Sequence, residues 1–147
     1  MASIHPFLWF NADTSEVAAH YAEIFEGHAD VVVHEGPMPR IRIGETEVLL
    51  FNGGPYFSFT PAASLFVEVQ TQEEVDTLWN AFLSGGGEAS QCGWLTDRFG
   101  LSWQIIPEAM GRYLSDPDPA RAAAAHAAMM TMSKIVIAEL DDAVASA

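Results

Sequence analysis

Apolar residues alternate along two short segments of the chain, and each segment is followed by a stretch in which apolar residues recur every three or four positions. Alternation over Ile4–Phe10 and Ser64–Val69 predicts two β-strands, since side chains of a strand point to opposite faces in turn. The helical spacing that follows in Asp13–Phe25 and Thr71–Phe82 predicts two amphipathic helices, each with one apolar face. The chain therefore contains the same strand and helix pair twice.

Both predicted helices carry start and stop signals. Asp13–Glu16 and Thr71–Glu74 each begin with a short oxygen-bearing side chain and have glutamate three residues later, which is the pattern of a capping box. Glycine follows each helix, at Gly27 and at Gly85–Gly87, where a helix commonly ends. The helix boundaries are thus predicted independently of the apolar pattern.

The repeat continues beyond the helices. The apolar closing segments Glu45–Phe51 and Leu101–Ile106 each follow a glycine, and weaker strand-like stretches lie between helix and closing segment. We interpret the chain as an α+β fold of paired βαβββ modules that form curled mixed sheets around a cavity, with a C-terminal helical tail. One domain spans residues 1–147, with module one at 1–54, a turn near Asn52–Pro55, module two at 55–106 and the tail at 107–147.

Within the tail, a helix is predicted to start at Asp118, an acceptor cap followed by Pro119 at the first helical position. The alanine-rich run after it leads to several methionines, which we interpret as packing groups because methionine fills irregular apolar gaps readily. A break is expected near Ser133.

Composition and charge exclude some partners. Half of the residues are apolar, which favours a packed core, while 6 Lys+Arg against 20 Asp+Glu give a formal charge of −14. This charge repels nucleic acid and anionic membrane surfaces. The sequence has no basic leader followed by an apolar stretch and no long apolar run, so a cytoplasmic location is expected. Cys92 is the single cysteine, so no internal disulfide can form.

Strand alternation also predicts which side chains face a ligand. On the second strand, Leu65 and Val67 are apolar and suit the face that a helix covers. The opposite face, with Ser64 and Phe66, should therefore point into the cavity. The corresponding face of the first strand carries His5, Phe7 and Trp9; Trp9 is expected to be a stacking platform for a planar ligand. Aromatic side chains beside a few polar groups are typical of a small-molecule site.

Several strings resemble the vicinal oxygen chelate superfamily, which includes glyoxalases and bleomycin-resistance proteins, and within it the PhnB-like branch often labelled 3-demethylubiquinone-9 3-methyltransferase-like. These strings are His5–Asn11, Phe51–Pro55, Phe59–Pro61, Gln91–Leu95, Phe99–Ile106 and Leu114–Pro119. The resemblance covers nearly the whole chain. It implies paired βαβββ modules, a homodimer and a small-molecule pocket.

In metalloenzymes of this superfamily, the first and last strands of each module supply the metal ligands. The resemblance places those positions at His5, Val48, Ser64 and Gln104. Only His5 is a good ligand for a divalent transition metal, which prefers imidazoles and carboxylates. We therefore predict a pocket without metal or other cofactor. The residues expected to line it are His5, Phe7, Trp9, Leu50, Asn52, Ser64, Phe66, Cys92, Trp94 and Gln104.

Three functions follow as hypotheses. The first is binding of an apolar or aromatic small molecule in a metal-free pocket. The second is a glyoxalase- or dioxygenase-type enzyme, with an unorthodox metal or with His5 as a general base. The third is the methyltransferase activity that the branch label implies, although the chain lacks a glycine-rich strand-to-helix turn for a nucleoside cofactor. Cys92 has no basic neighbour in the sequence until Arg98, so we expect it to be a pocket-wall residue rather than a nucleophile.

Overall fold

The computed structural model describes all residues, 1–147, and contains eight strands and five helices in two compact units, Met1–Thr60 and Pro61–Ala147. The strands are β1 Phe7–Phe10, β2 Val31–His34, β3 Arg40–Ile43, β4 Thr46–Asn52, β5 Ser64–Val69, β6 Glu88–Ala89, β7 Trp94–Thr96 and β8 Ser102–Pro107. The helices are α1 Thr14–Ile24, α2 Gln72–Ser84, α3 Glu108–Leu114, α4 Pro119–Met129 and α5 Ile137–Ala145. The α+β class and the repeated βαβββ order are confirmed.

Each unit contains one mixed four-stranded sheet with the same strand order. The first sheet runs β1-β4-β3-β2 and the second β5-β8-β7-β6. In both, the opening strand lies parallel to the closing strand, while the remaining pairs are antiparallel. Parallel neighbours require a crossover connection, which usually contains a helix. The position of α1 and α2 in the sequence satisfies this requirement.

The predicted helix starts are confirmed. Asp13 caps α1 by accepting a hydrogen bond from the backbone N–H of Ser15 at 2.8 Å. Thr71 caps α2 by accepting from the N–H of Glu74 at 3.1 Å, and Asp118 caps α4 by accepting from the N–H of Ala120. These caps satisfy amides that the first helical turn leaves free.

The helix ends differ in one respect from the prediction. The second helix has Gly85 at its C-cap, as expected, but α1 stops at Ile24 with Phe25 as its C-cap. Gly27 lies two residues further on, with φ of +79°. The glycine therefore forms the turn after the helix rather than the end of the helix itself.

Buried side chains lie mainly on the helix-facing side of each sheet. In the first unit Phe10, Ile41 and Leu50 are buried with the α1 residues Val17 and Tyr21. The corresponding buried set of the second unit contains Leu95, Trp103 and Ile105 of the sheet and Val75, Leu78 and Phe82 of α2. The face of each sheet that points away from its helix is therefore available to bind a ligand or another part of a protein.

The tail helices share an apolar cluster with the end of β8. Ile106, Met110, Met132, Ile135 and Leu140 are all buried in it. Of the methionines predicted to be packing groups, Met132 is buried and Met129 packs against this cluster, whereas Met130 is 52% exposed. The expected break is also present, because α4 ends at Met129 and α5 begins at Ile137.

Candidate functional site

The register of the first sheet places Glu47, rather than Val48, next to His5. Phe7 pairs with Leu49 across the parallel β1 and β4 strands, and the Nδ1 atom of His5 lies 3.7 Å from the Oε1 atom of Glu47. Val48 is only 2% exposed and points to the other face, where it pairs with buried Ile41. Side chains of a strand point alternately to its two faces. A register that differs by one residue from the expected register therefore puts Glu47 on the face where Val48 was expected.

The Glu47 carboxylate is already engaged by the guanidinium of Arg40. Its Oε1 atom accepts a hydrogen bond from Nη1 of Arg40 at 2.8 Å, and the guanidinium is closer to this oxygen than the imidazole of His5 is. A charge-assisted hydrogen bond of this length is among the stronger polar contacts in proteins. Glu47 is therefore held toward Arg40.

Four aromatic side chains cluster around β1 and β4 of the first unit. Phe7 and Phe51 have ring centroids 5.5 Å apart and remain 56% and 40% exposed. Trp9 makes edge contacts with Phe51 at 5.1 Å and with Phe57 at 4.9 Å. Separations and angles of this kind are favourable for aromatic pairs.

Gly53 covers part of the Trp9 ring, which limits the stacking role expected of this tryptophan. A Cβ atom added to Gly53 would lie 2.0 Å from Cε2 of Trp9, so the glycine backbone rests directly on the indole. The indole N–H also donates to the carbonyl of Gly54 at 3.0 Å. The more exposed rings in this cluster are those of Phe7, Phe51 and Phe57.

Leu50 and Asn52 were both expected to line the pocket, but they lie on the face of β4 opposite to Phe51. Leu50 pairs with Leu8, is buried, and borders a shallow depression beside Ala18 of α1. Asn52 is exposed at the end of β4, where its Oδ1 atom accepts from the N–H of Gly54 at 3.3 Å. The alternation along β4 separates these two residues from Leu49 and Phe51.

The second sheet brings together the other two positions that the family resemblance indicated. Gln104 donates through Nε2 to the hydroxyl of Ser64 at 3.0 Å, and its neighbours across the sheet are Phe66 on β5 and Trp94 on β7. Phe66 is exposed. Four of the predicted lining residues thus share one face of this sheet.

A cavity of about 270 Å³ opens beside this group within the second unit. Its lining residues are Pro61, Ser90, Gln91, Cys92, Trp94, Leu95, Thr96 and Ser102. Cys92 and Trp94 were predicted to line a pocket, whereas Thr96 and Ser102 were not among the predicted site residues. Alternation along β8, which puts Ser102 on the face of Gln104, was the signal that could have identified Ser102.

Cys92 has an unusual backbone conformation at the rim of this cavity. Its φ is +58°, in the left-handed region that residues with a side chain rarely adopt. Its Sγ atom lies 3.8 Å from the Sδ atom of Met130. The surrounding structure must hold this conformation in place.

Neither Glu47, which takes the place expected for Val48, nor the pair Ser64 and Gln104 fits a divalent transition metal. The Glu47 carboxylate is paired with Arg40, and Ser64 and Gln104 are neutral groups bonded to each other. No group of three or more His, Cys, Asp or Glu side chains is arranged to hold an ion. Such a metal prefers several imidazole, thiolate or carboxylate ligands.

The chain belongs to the family described as 3-demethylubiquinone-9 3-methyltransferase, which matches residues 2–106. With its structural neighbours, this match assigns the chain to the PhnB-like branch of the vicinal oxygen chelate superfamily. The resemblance stated from the sequence is therefore confirmed. No functionally curated protein matches the chain.

Solved structures share the fold at low sequence identity. A putative 3-demethylubiquinone-9 3-methyltransferase, PhnB protein, from Bacillus cereus is 24% identical, with a TM-score of 0.60 over 72% of this chain and 99% of that one. A glyoxalase/bleomycin resistance protein from Albidiferax ferrireducens is 16% identical, with a TM-score of 0.55 over 72% and 98%. The fosfomycin resistance protein FosX from Listeria monocytogenes is 14% identical, with a TM-score of 0.55 over 73% and 93%.

Among the five helices, none combines the length and the apolar character that crossing a bilayer requires.

Proposed function

We propose that the protein binds a small, uncharged, largely apolar and planar molecule in the cavity of the second unit, without a metal ion. The observation that carries this proposal is the lining of the cavity, in which the side chain of Trp94 stands beside the hydroxyls of Thr96 and Ser102. Small-molecule sites typically combine apolar surface with a few polar groups that orient the ligand. Ser102 is only 2% exposed, so the part of a ligand that contacted it would be shielded from solvent.

The charge and size of the cavity narrow the class of ligand. None of its eight lining residues carries a formal charge, and the chain as a whole carries −14, which disfavours anions. Its volume of about 270 Å³ lies just below the range of roughly 300–1,000 Å³ common for drug-sized ligands. A single substituted ring with a carbonyl or hydroxyl group suits these properties.

Duroquinone is a suitable probe, because all four ring positions are substituted and it does not readily add the Cys92 thiol. We expect saturable binding by calorimetry, with quenching of tryptophan fluorescence. Ser102→Ala should weaken binding several-fold, since a buried hydroxyl that orients the carbonyl is lost. Ser58→Ala, which removes an exposed hydroxyl of the first unit, is the matched control.

Titrations with zinc chloride and S-adenosylmethionine distinguish the alternatives. Binding of duroquinone without either of the other two supports the proposal. Stoichiometric zinc binding would favour a metalloenzyme, and binding of S-adenosylmethionine would favour the methyltransferase activity in the family's description. Absence of duroquinone binding would reject the proposed cavity ligand.

A second candidate function is catalysis at His5. Its Nδ1 atom lies near the Glu47 carboxylate, and an imidazole oriented by a carboxylate is a common general base. The FosX protein of Listeria has also been crystallised with Mn(II), which shows that a protein of this fold can hold a metal. Turnover of the methylglyoxal–glutathione hemithioacetal that is lost in His5→Gln would support this candidate.

We also propose that the protein forms a homodimer. The exposed rings of Phe7, Phe51 and Phe57 give the first unit apolar surface that a second copy could cover. Light scattering after gel filtration should give twice the 16.0 kDa mass of one chain. A monomeric mass would reject the dimer.

A further inference from the structure

The C-terminal tail lies outside the part of the chain that the family model matches. The family match ends at residue 106, and the Bacillus cereus structure aligns over 99% of its own length while accounting for only 72% of this chain. Helices α3, α4 and α5 all follow residue 106. Any role of the tail is therefore additional to the shared fold.

The connection between α4 and α5 is hydrogen-bonded to the loop that precedes β7. The N–H groups of Cys92 and Gly93 donate to the carbonyls of Met132 and Ser133, each at 2.8 Å. The hydroxyl of Ser133 donates in the other direction, to the carbonyl of Ser90 at 2.6 Å. Three hydrogen bonds thus join three residues of the loop, Ser90, Cys92 and Gly93, to two consecutive residues of the tail.

Close packing reinforces these hydrogen bonds. A Cβ atom at Gly93 would lie 2.6 Å from Cδ1 of Ile106 and 3.0 Å from Cγ1 of Ile135, so only glycine permits this approach. Ile135 is fully buried. The Gln72 amide fixes the same stretch to α2, because it donates to the carbonyl of Ile135 at 2.9 Å and accepts from the N–H of Ile137 at 2.8 Å.

The loop held in this way is one wall of the cavity. Ser90, Gln91 and Cys92 line the cavity, and Cys92 has the positive φ that requires support from its surroundings. The tail contacts Cys92 and Gly93 through both backbone and side chains. The wall is thus fixed by residues that follow the family-matched region.

We infer that the tail segment Met132–Ile135 positions the loop Ser90–Gly93 as a wall of the cavity, with Ser133 as a positioning residue. That this wall also affects ligand affinity rests on the function proposed above. The tail then shapes a site built by the family-matched part of the chain. Ser133 acts through the loop and need not touch a ligand itself.

Hydrogen exchange at single amides tests the positioning role without any ligand. Ser133→Ala should speed exchange of the Cys92 and Gly93 amides by roughly threefold to tenfold, as expected when one hydrogen bond that holds the loop is lost. The Leu101 amide, which donates to Asp97 in the same unit, is the internal reference and should not change. Thr131→Ala is the matched control, because its hydroxyl bonds within the tail, to the carbonyl of Ala128.

Duroquinone affinity is measured on the same three proteins. Faster exchange at Cys92 and Gly93 in Ser133→Ala alone supports the inference. Weaker duroquinone binding in that variant would show that the position of the loop also affects ligand affinity at the cavity. Equal exchange in the wild type and Ser133→Ala overturns it, as does an equal effect of Thr131→Ala. Should the wild type not bind duroquinone at all, the proposed function fails, while the exchange rates still decide whether the tail holds the loop.

Discussion

The indole N–H of Trp103 donates to Oδ2 of Asp97 at 2.9 Å, deep in the second unit. The other carboxylate oxygen of Asp97 accepts from the backbone N–H groups of Phe99 at 2.8 Å and Leu101 at 3.0 Å. One buried carboxylate therefore fixes both the turn between β7 and β8 and the side chain of a core tryptophan. The turn that it holds connects β7 and β8, the strands that carry Thr96 and Ser102 of the cavity wall.

Replacement of this carboxylate should destabilise the protein severely. Asp97→Ala leaves three donors without their acceptor, and we expect a loss of about 3 kcal/mol in the free energy of unfolding. Urea denaturation followed by tryptophan fluorescence measures the loss. Asp142→Ala, at an exposed tail position, is the control and should change stability little. A change below about 0.5 kcal/mol in Asp97→Ala would contradict a structural role for this residue.

Two glycines should respond in opposite ways to the same substitution. Gly53→Ala places a Cβ atom 2.0 Å from Cε2 of Trp9, so the turn or the indole must move, at a cost of about 3 kcal/mol. Gly111→Ala meets no atom within 4 Å in the interior of α3 and should stabilise by about 0.5–1 kcal/mol. Thermal melting compares the two variants. If both substitutions lower the melting temperature equally, the close contact between Gly53 and Trp9 does not explain the loss of stability in Gly53→Ala.

The attachment of the tail to α2 should depend on pH. A hydrogen bond from Lys134 at 2.8 Å, and then one from Gln72, lower the pKa of Asp76 below its usual value of 3.8. A carboxylate whose pKa is lower in the folded state stabilises the fold above pH 3.8, and this contribution is lost as pH falls through the folded-state pKa. The side chains of Lys134 and Asp76 are 32% and 41% exposed, so solvent screens the pair and the effect should stay below about 1 kcal/mol.

Urea denaturation at about pH 5 and about pH 3 checks this dependence. The difference in stability between the two pH values should be smaller in Asp76→Asn than in the wild type. Asp142→Asn controls for the general effect of removing one carboxylate. An unchanged difference in Asp76→Asn would mean that the ion pair contributes nothing.

Protein purified without chelator should contain far less than one transition metal ion per chain. The reason is chemical, since Glu47 is paired with Arg40, and Ser64 and Gln104 bond to each other. Elemental analysis for zinc, nickel, iron and manganese tests this expectation. One bound ion per chain that disappears in His5→Gln would show that His5 is a metal ligand and would favour the enzymatic candidate.

The sequence alone determined the secondary structure, the repeat and the family. The caps at Asp13, Thr71 and Asp118, together with the apolar spacing, are local signals, because the atoms that form a helical turn lie within four residues of one another. The alternation along β5 showed which of its faces the helix covers, because every side chain on that face is apolar. For these features, local chemistry was sufficient.

Only the tertiary structure decided what faces the candidate site. Whether Glu47 or Val48 stands beside His5 depends on strand register, and one residue of slip reverses every side chain of a strand. The cover of Gly53 over Trp9 and the contact of Ser133 with Ser90 join residues 44 and 43 positions apart. Such contacts form only when the whole unit packs, so no local pattern in the sequence encodes them.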